Sequence, residues 1–182
     1  MKKVNLDNIQ EAGSFKRPEA GPYICTIQGV LDFPEKQYLK VTYDISQGEF
    51  KGYYDELRAA YPDWDWCGAY CKSYKETALP MFKRFCSAVS KSNGNYVFDA
   101  GEQNADEQSL VGKSIGLLFQ EEEYYGNDGN IKTRLIVARE FPVDQILKQK
   151  TPEPKLLEKV ENVDEFKAVD VKTGIDEELP FA

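Results

Sequence analysis

Leu39-Lys40-Val41-Thr42-Tyr43-Asp44-Ile45-Ser46 is the stretch that decides the fold. Leu39, Val41, Tyr43 and Ile45 alternate with Lys40, Thr42, Asp44 and Ser46. That period of two, rich in β-branched and aromatic residues, belongs to a strand with one face on a core and the other in water. Upstream, Tyr23, Cys25, Ile27, Gly29 and Leu31 alternate with Ile24, Thr26, Gln28 and Val30, and Asp32-Phe33-Pro34-Glu35-Lys36 supplies a turn between the two strands. Downstream, Gln47-Gly48-Glu49 turns into an expected third strand over residues 52–57. The irregular aromatic stretch Tyr61-Pro62-Asp63-Trp64-Asp65-Trp66 follows, holding both tryptophans.

Phe82, Phe85, Cys86 and Val89 then fall at i, i+3, i+4 and i+7, the spacing of a helix with one apolar face. Ser92-Asn93-Gly94-Asn95 ends it with C-cap residues. Ile115, Leu117 and Phe119 open a further strand. Gly126-Asn127-Asp128-Gly129-Asn130 turns it into a last one carrying Ile131, Thr133, Leu135 and Val137. Three strands, a helix and two strands is the connectivity of an OB-fold, a partly open Greek-key barrel that binds oligonucleotides and oligosaccharides. The expectation is therefore a mainly β protein: a five-stranded OB-fold Greek-key barrel with one helix between strands 3 and 4. A small sandwich with a covering helix is the competing architecture. Residues 1–20 read as a loosely ordered leader, 21–150 as the barrel, and 151–182 as a disordered acidic tail.

At 182 residues, one domain with an appendage is the natural size. The net charge of −8 is uneven: residues 151–182 hold four lysines against nine acids, leaving 19 cations and 22 anions for residues 1–150. A nearly neutral body has room for a basic groove. Met1-Lys2-Lys3 leads into polar sequence, and no run approaches the ~20 apolar residues of a membrane span, so neither secretion nor a membrane is expected. Cys25, Cys67, Cys71 and Cys86 read as reduced, buried small hydrophobes of a cytoplasmic protein.

The chain contains no histidine, which removes the usual general base and the commonest zinc ligand. Asp63 and Asp65, and Glu121-Glu122-Glu123, lack a basic residue at nuclease spacing, and Cys67 and Cys71 lack a second close pair. Gly112-Lys113-Ser114 ends like a phosphate loop, but Glu107 stands where its first glycine belongs. The expectation is a non-enzyme with no metal and no cofactor.

Binding chemistry is better represented. Non-specific capture of single-stranded nucleic acid needs cations along the backbone and flat rings for the bases. Lys40 lies on the second strand; Lys51, Tyr53, Tyr54 and Arg58 lie on or beside the expected third. Trp64, Trp66, Lys72 and Lys75 follow, and the late hairpin adds Lys132 and Arg134. If residues 64–66 are extended, the two tryptophans share one face. The 120–134 hairpin leaves two uses open, a DNA-gripping finger or the arm of a homodimer. At the far end, Asp176-Glu177-Glu178 runs into Leu179-Pro180-Phe181, an apolar tip on an acidic segment. It suits a small hydrophobic pocket rimmed by Lys or Arg on another protein, with Pro180 limiting the conformations to be ordered.

With that tip, the body resembles the single-stranded DNA-binding proteins of bacteria and their phages, whose acidic tails end in an Asp-Asp-Asp-Ile-Pro-Phe-like sequence. It is also similar to phage-encoded proteins of replication and recombination gene clusters, over residues 21–32, 39–45 and 110–139. Val111-Gly112-Lys113 and the acidic 121–123 run carry part of that likeness. The resemblance implies a protein of the host bacterial cytoplasm that coats and protects single-stranded DNA. Its tail would recruit replication or recombination proteins: Phe181 would plug the partner's pocket, Pro180 would act as spacer, and Asp176, Glu177 and Glu178 would meet its basic rim. Bacterial tails usually end at the phenylalanine, whereas Ala182 follows here, which points to phage-specific partners. Two other functions fit the same residues: a recombination accessory protein that anneals strands or loads a recombinase, and a protein-only adaptor with an OB-like barrel.

Overall fold

The computed structural model describes Lys3 and residues 16–98, 100 and 106–157. The tail tip, residues 176–181, lies outside them. Strands β1 (Gly21–Phe33), β2 (Tyr38–Ile45), β3 (Ala69–Ser73), β4 (Ser114–Tyr125) and β5 (Ile131–Phe141) form one antiparallel sheet in the order β3-β2-β1-β4-β5. Placing β4 beside β1 after the run β1-β2-β3 is the Greek-key order. Helix α1 (Tyr53–Ala60) lies between β2 and β3, α2 (Leu79–Ser92) between β3 and β4, and the short α3 (Val143–Ile146) follows β5. No ladder joins β3 to β5 among the described residues, so the sheet stays open. Among the described residues, no helix is long and apolar enough to cross a membrane.

The core is the inward face of this sheet under α2. Leu39, Val41, Tyr43 and Ile45 are all buried, as their alternation requires, together with Ile115, Leu117 and Phe119 of β4. Phe82, Phe85 and Val89 bring the apolar stripe of α2 onto them. β1 departs from its expected alternation. It pairs Ile27 with Tyr43 but Gly29 with Thr42, so Gln28 is an extra residue in a bulge. Beyond the bulge the faces exchange: Val30 enters the core and Leu31 turns outward at 57% exposure. Gly29 permits the close approach at that point, for a Cβ there would meet Thr42 Oγ1 at 2.9 Å.

The expected third strand at 52–57 is a helix, and the true third strand begins at Ala69. Helix wins over 53–60 because Asp55 and Glu56 occupy the first turn and Arg58, Ala59 and Ala60 the last, favourable for the macrodipole and for propensity. The N-terminus is satisfied from outside. Asp44 Oδ1 accepts from the N–H of Tyr54 at 3.0 Å, and Oδ2 from that of Asp55 at 3.4 Å. The residue expected on the wet face of β2 is thus buried as the cap of α1. Burial raises its pKa, partly offset by these backbone donors.

Candidate nucleic-acid interface

The segment that follows α1 helps to build a ring-rich depression. Gly68 lets it pack closely, since a Cβ there would meet Tyr43 O at 2.5 Å and the Tyr54 ring at 2.8 Å. The two tryptophans go to different places. Trp66 is half-buried: its indole N–H donates to Tyr43 O at 3.0 Å and the ring packs on the core. Trp64 is 52% exposed and stacks on Tyr61 with centroids 4.4 Å apart and planes 15° from parallel.

Between this stack and the β4–β5 hairpin runs a groove of about 570 Å³. Tyr53, Leu57 and Trp64 supply its α1 side, and Arg134 and Leu135 its β5 side. Arg17 and Pro18 close it from the segment before β1, and among the described residues Arg17 and Arg134 are the only charged ones on its lining. Tyr53 is half-buried, and desolvation raises its phenol pKa while the Arg17 charge pulls the other way. Arg134 is held in place. Its Nε and Nη2 donate to Glu122 Oε2 at 2.8 and 2.6 Å, and the guanidinium lies 5.0 Å from the Tyr124 ring centroid. Lys155 Nζ donates to Glu122 Oε1 at 2.6 Å. Together Lys155 and Arg134 hold the Glu122 carboxyl below its usual range.

Of the residues expected to bind nucleic acid, the groove gathers Tyr53, Tyr54, Trp64 and Arg134. Tyr54 contributes from the core side: it is buried, edge-on to both Tyr43 and Tyr53, with its pKa pushed up by desolvation. Lys51 and Arg58 are exposed, one in the turn before α1 and the other in its last turn. Lys132 is exposed and paired with Asp128 at 3.0 Å. Lys40 is half-buried on the outward face of β2, between Leu31 of β1 and Cys71 of β3. Lys75 is exposed just past β3.

Lys72 is turned to a different task. It is buried, with Nζ 2.6 Å from Glu140 Oε1 of β5. The cysteines also depart in part from expectation. Cys25 is buried and Cys86 half-buried, but Cys67 and Cys71 are exposed free thiols, and Cys67 lines the groove.

Three features escaped the sequence. Arg17 sits in a polar leader with no periodicity to place it. Tyr61 stands three residues before Trp64, a spacing that could have suggested the stack had 53–60 been read as helix. Phe33 and Tyr38 face each other across β1 and β2 with centroids 4.8 Å apart and planes 18° from parallel, next to the Leu31–Lys40 row. No protein-family model and no curated protein matches the sequence.

Proposed function

We propose that this chain binds single-stranded DNA without catalysing a reaction, and that its body is an OB-type barrel left open between β3 and β5. The observation that carries this reading is the groove in which flat rings and two arginines meet, with no acidic side chain on the lining among the described residues. Stacking on Trp64 serves any base, and guanidinium groups serve any phosphate, which suits a binder indifferent to sequence. The outward row of Phe33, Tyr38 and Lys40 offers a further ring pair and cation on the β1–β2 face. The acidic segment ending in Leu179-Pro180-Phe181 would then recruit replication or recombination proteins in the cytoplasm of a bacterial host.

A fluorescent oligo(dT) titration tests the reading, run at low salt on the full chain and on a chain ending at residue 175. Micromolar or tighter binding that weakens steeply as salt rises is expected, because neutralising phosphates releases counterions. Failure of both chains to retain the oligonucleotide would refute it.

A further inference from the structure

The segment before β1 is pinned on both sides of Arg17. Lys16 Nζ meets Glu49 Oε1 at 2.6 Å and lies 5.6 Å from the Phe50 ring centroid. Two residues past Arg17, the carbonyl of Glu19 accepts from the Tyr23 hydroxyl at 3.0 Å. Pro18 between them fixes its own φ. The strap therefore presents Arg17 to the groove that Arg134 also lines, the two sharing an adjoining cavity with Glu19 and Glu121, and no ion pair engages the Arg17 guanidinium among the described residues. Arg134 spends two of its five N–H donors on Glu122, which leaves three, including both on Nη1.

We propose that Arg17 and Arg134 together clamp the phosphodiester backbone of a single strand lying in the groove, which makes the leader strap part of the binding site. The clamp rests on the single-strand reading above and deepens it. A guanidinium matches a phosphate with paired hydrogen bonds, and two of them on one lining with Tyr53 and Trp64 fit a ligand that alternates anions with flat rings. An acidic peptide without aromatic side chains would satisfy the arginines but leave the exposed face of Trp64 without a ring to stack.

The test uses the full chain with oligo(dT) and oligo(U), titrated over a salt series. Removing one cation that neutralises a phosphate should flatten the slope of log K against log salt by about 0.7 for single strands. Arg17→Gln is expected to weaken binding about tenfold at low salt and to flatten the slope by that amount on both oligonucleotides. Arg134→Gln should act in the same direction, and Arg17→Lys should restore the slope. Lys91→Gln, on exposed α2 surface away from the groove, should change neither quantity. Circular dichroism would establish that each variant is folded. A wild type that binds while Arg17→Gln keeps its affinity and slope would overturn the clamp and leave the single-strand reading standing. A weakening on only one oligonucleotide would also overturn it, since the shared backbone is what the clamp grips. If the wild type ignores both oligonucleotides, or takes polyglutamate instead, the clamp and the underlying reading fail together.

Discussion

Trp64 and Trp66 stand two positions apart, yet their surroundings assign them opposite work. Trp66 has its indole nitrogen bonded to a β2 carbonyl and its ring on the core. Trp64 touches Tyr61 and leaves about half of its surface to solvent. Substituting each with alanine should therefore separate affinity from stability. Trp64→Ala is expected to cost about 1–3 kcal/mol in oligonucleotide binding, the worth of one stacked base, with an unchanged urea midpoint. Trp66→Ala should lower the midpoint by an amount corresponding to about 3 kcal/mol, the usual scale for truncating a large packed aromatic. Equal effects of the two on binding would remove Trp64 from the groove's function. Intrinsic fluorescence offers a parallel reading, because only the exposed indole should be quenched when a base stacks on it. Neither assignment was legible in Asp63-Trp64-Asp65-Trp66, which as an extended segment would put both rings on one face. The preceding helix is what turns Tyr61 under Trp64, and that helix was concealed by two adjacent tyrosines that favour strands.

At the scale of elements, legibility followed the length and purity of the pattern. β2 keeps its apolar and polar residues in alternation from Leu39 to Ile45, and α2 keeps its apolar stripe over two turns, so both stand where their sequences place them. β3 is only five residues long and follows an aromatic stretch, so its alternation had too few positions to stand out. The bulge at Gln28 could not be read from β1 alone, because it is defined by which β2 residues lie opposite. Helix α1 hinges on a contact between elements, the Asp44 carboxylate that accepts its first N–H groups. That dependence gives a prediction. Asp44→Ala should destabilise the protein by about 1–2 kcal/mol, the range for losing a helix cap. It should also loosen the α1 wall of the groove, since Tyr53, Leu57 and Tyr61 are carried on that helix and its exit. Hydrogen exchange of the α1 amides, compared with those of β2, would report it. Uniform protection of α1 in the variant would show that packing of Tyr54, and not the cap, holds the helix.

Among the described residues the two edge strands of the sheet, β3 and β5, share no backbone ladder, and a polar latch bridges them. Lys72 of β3 places Nζ 2.6 Å from Glu140 Oε1 on β5, and Arg84 of α2 approaches the other carboxylate oxygen at 3.5 Å. Glu140 is only 3% exposed, so its charge is tolerable only while those cations stay. The Tyr70 hydroxyl is sealed beside this group without a hydrogen-bond partner among the described residues. Burial first, and the Glu140 charge second, raise its pKa well above the ordinary phenol value. Lys72 was legible as a cation but not as a structural one, because its partner lies 68 positions away in a strand that only the fold brings near. Lys72→Met should cost about 3–5 kcal/mol by stranding the buried carboxylate. Lys72→Met with Glu140→Leu should recover most of that, since Arg84 is partly exposed and can turn to water. Urea unfolding of the two single variants and the double gives the coupling directly, and a coupling near zero would mean that α2 packing alone holds the edges. Oligonucleotide affinity should follow a different order. Lys72 is absent from the groove lining, so the folded double variant should bind single strands as the wild type does. A double variant that is stable yet weak in binding would place Lys72, or the seam it closes, within the path of the strand.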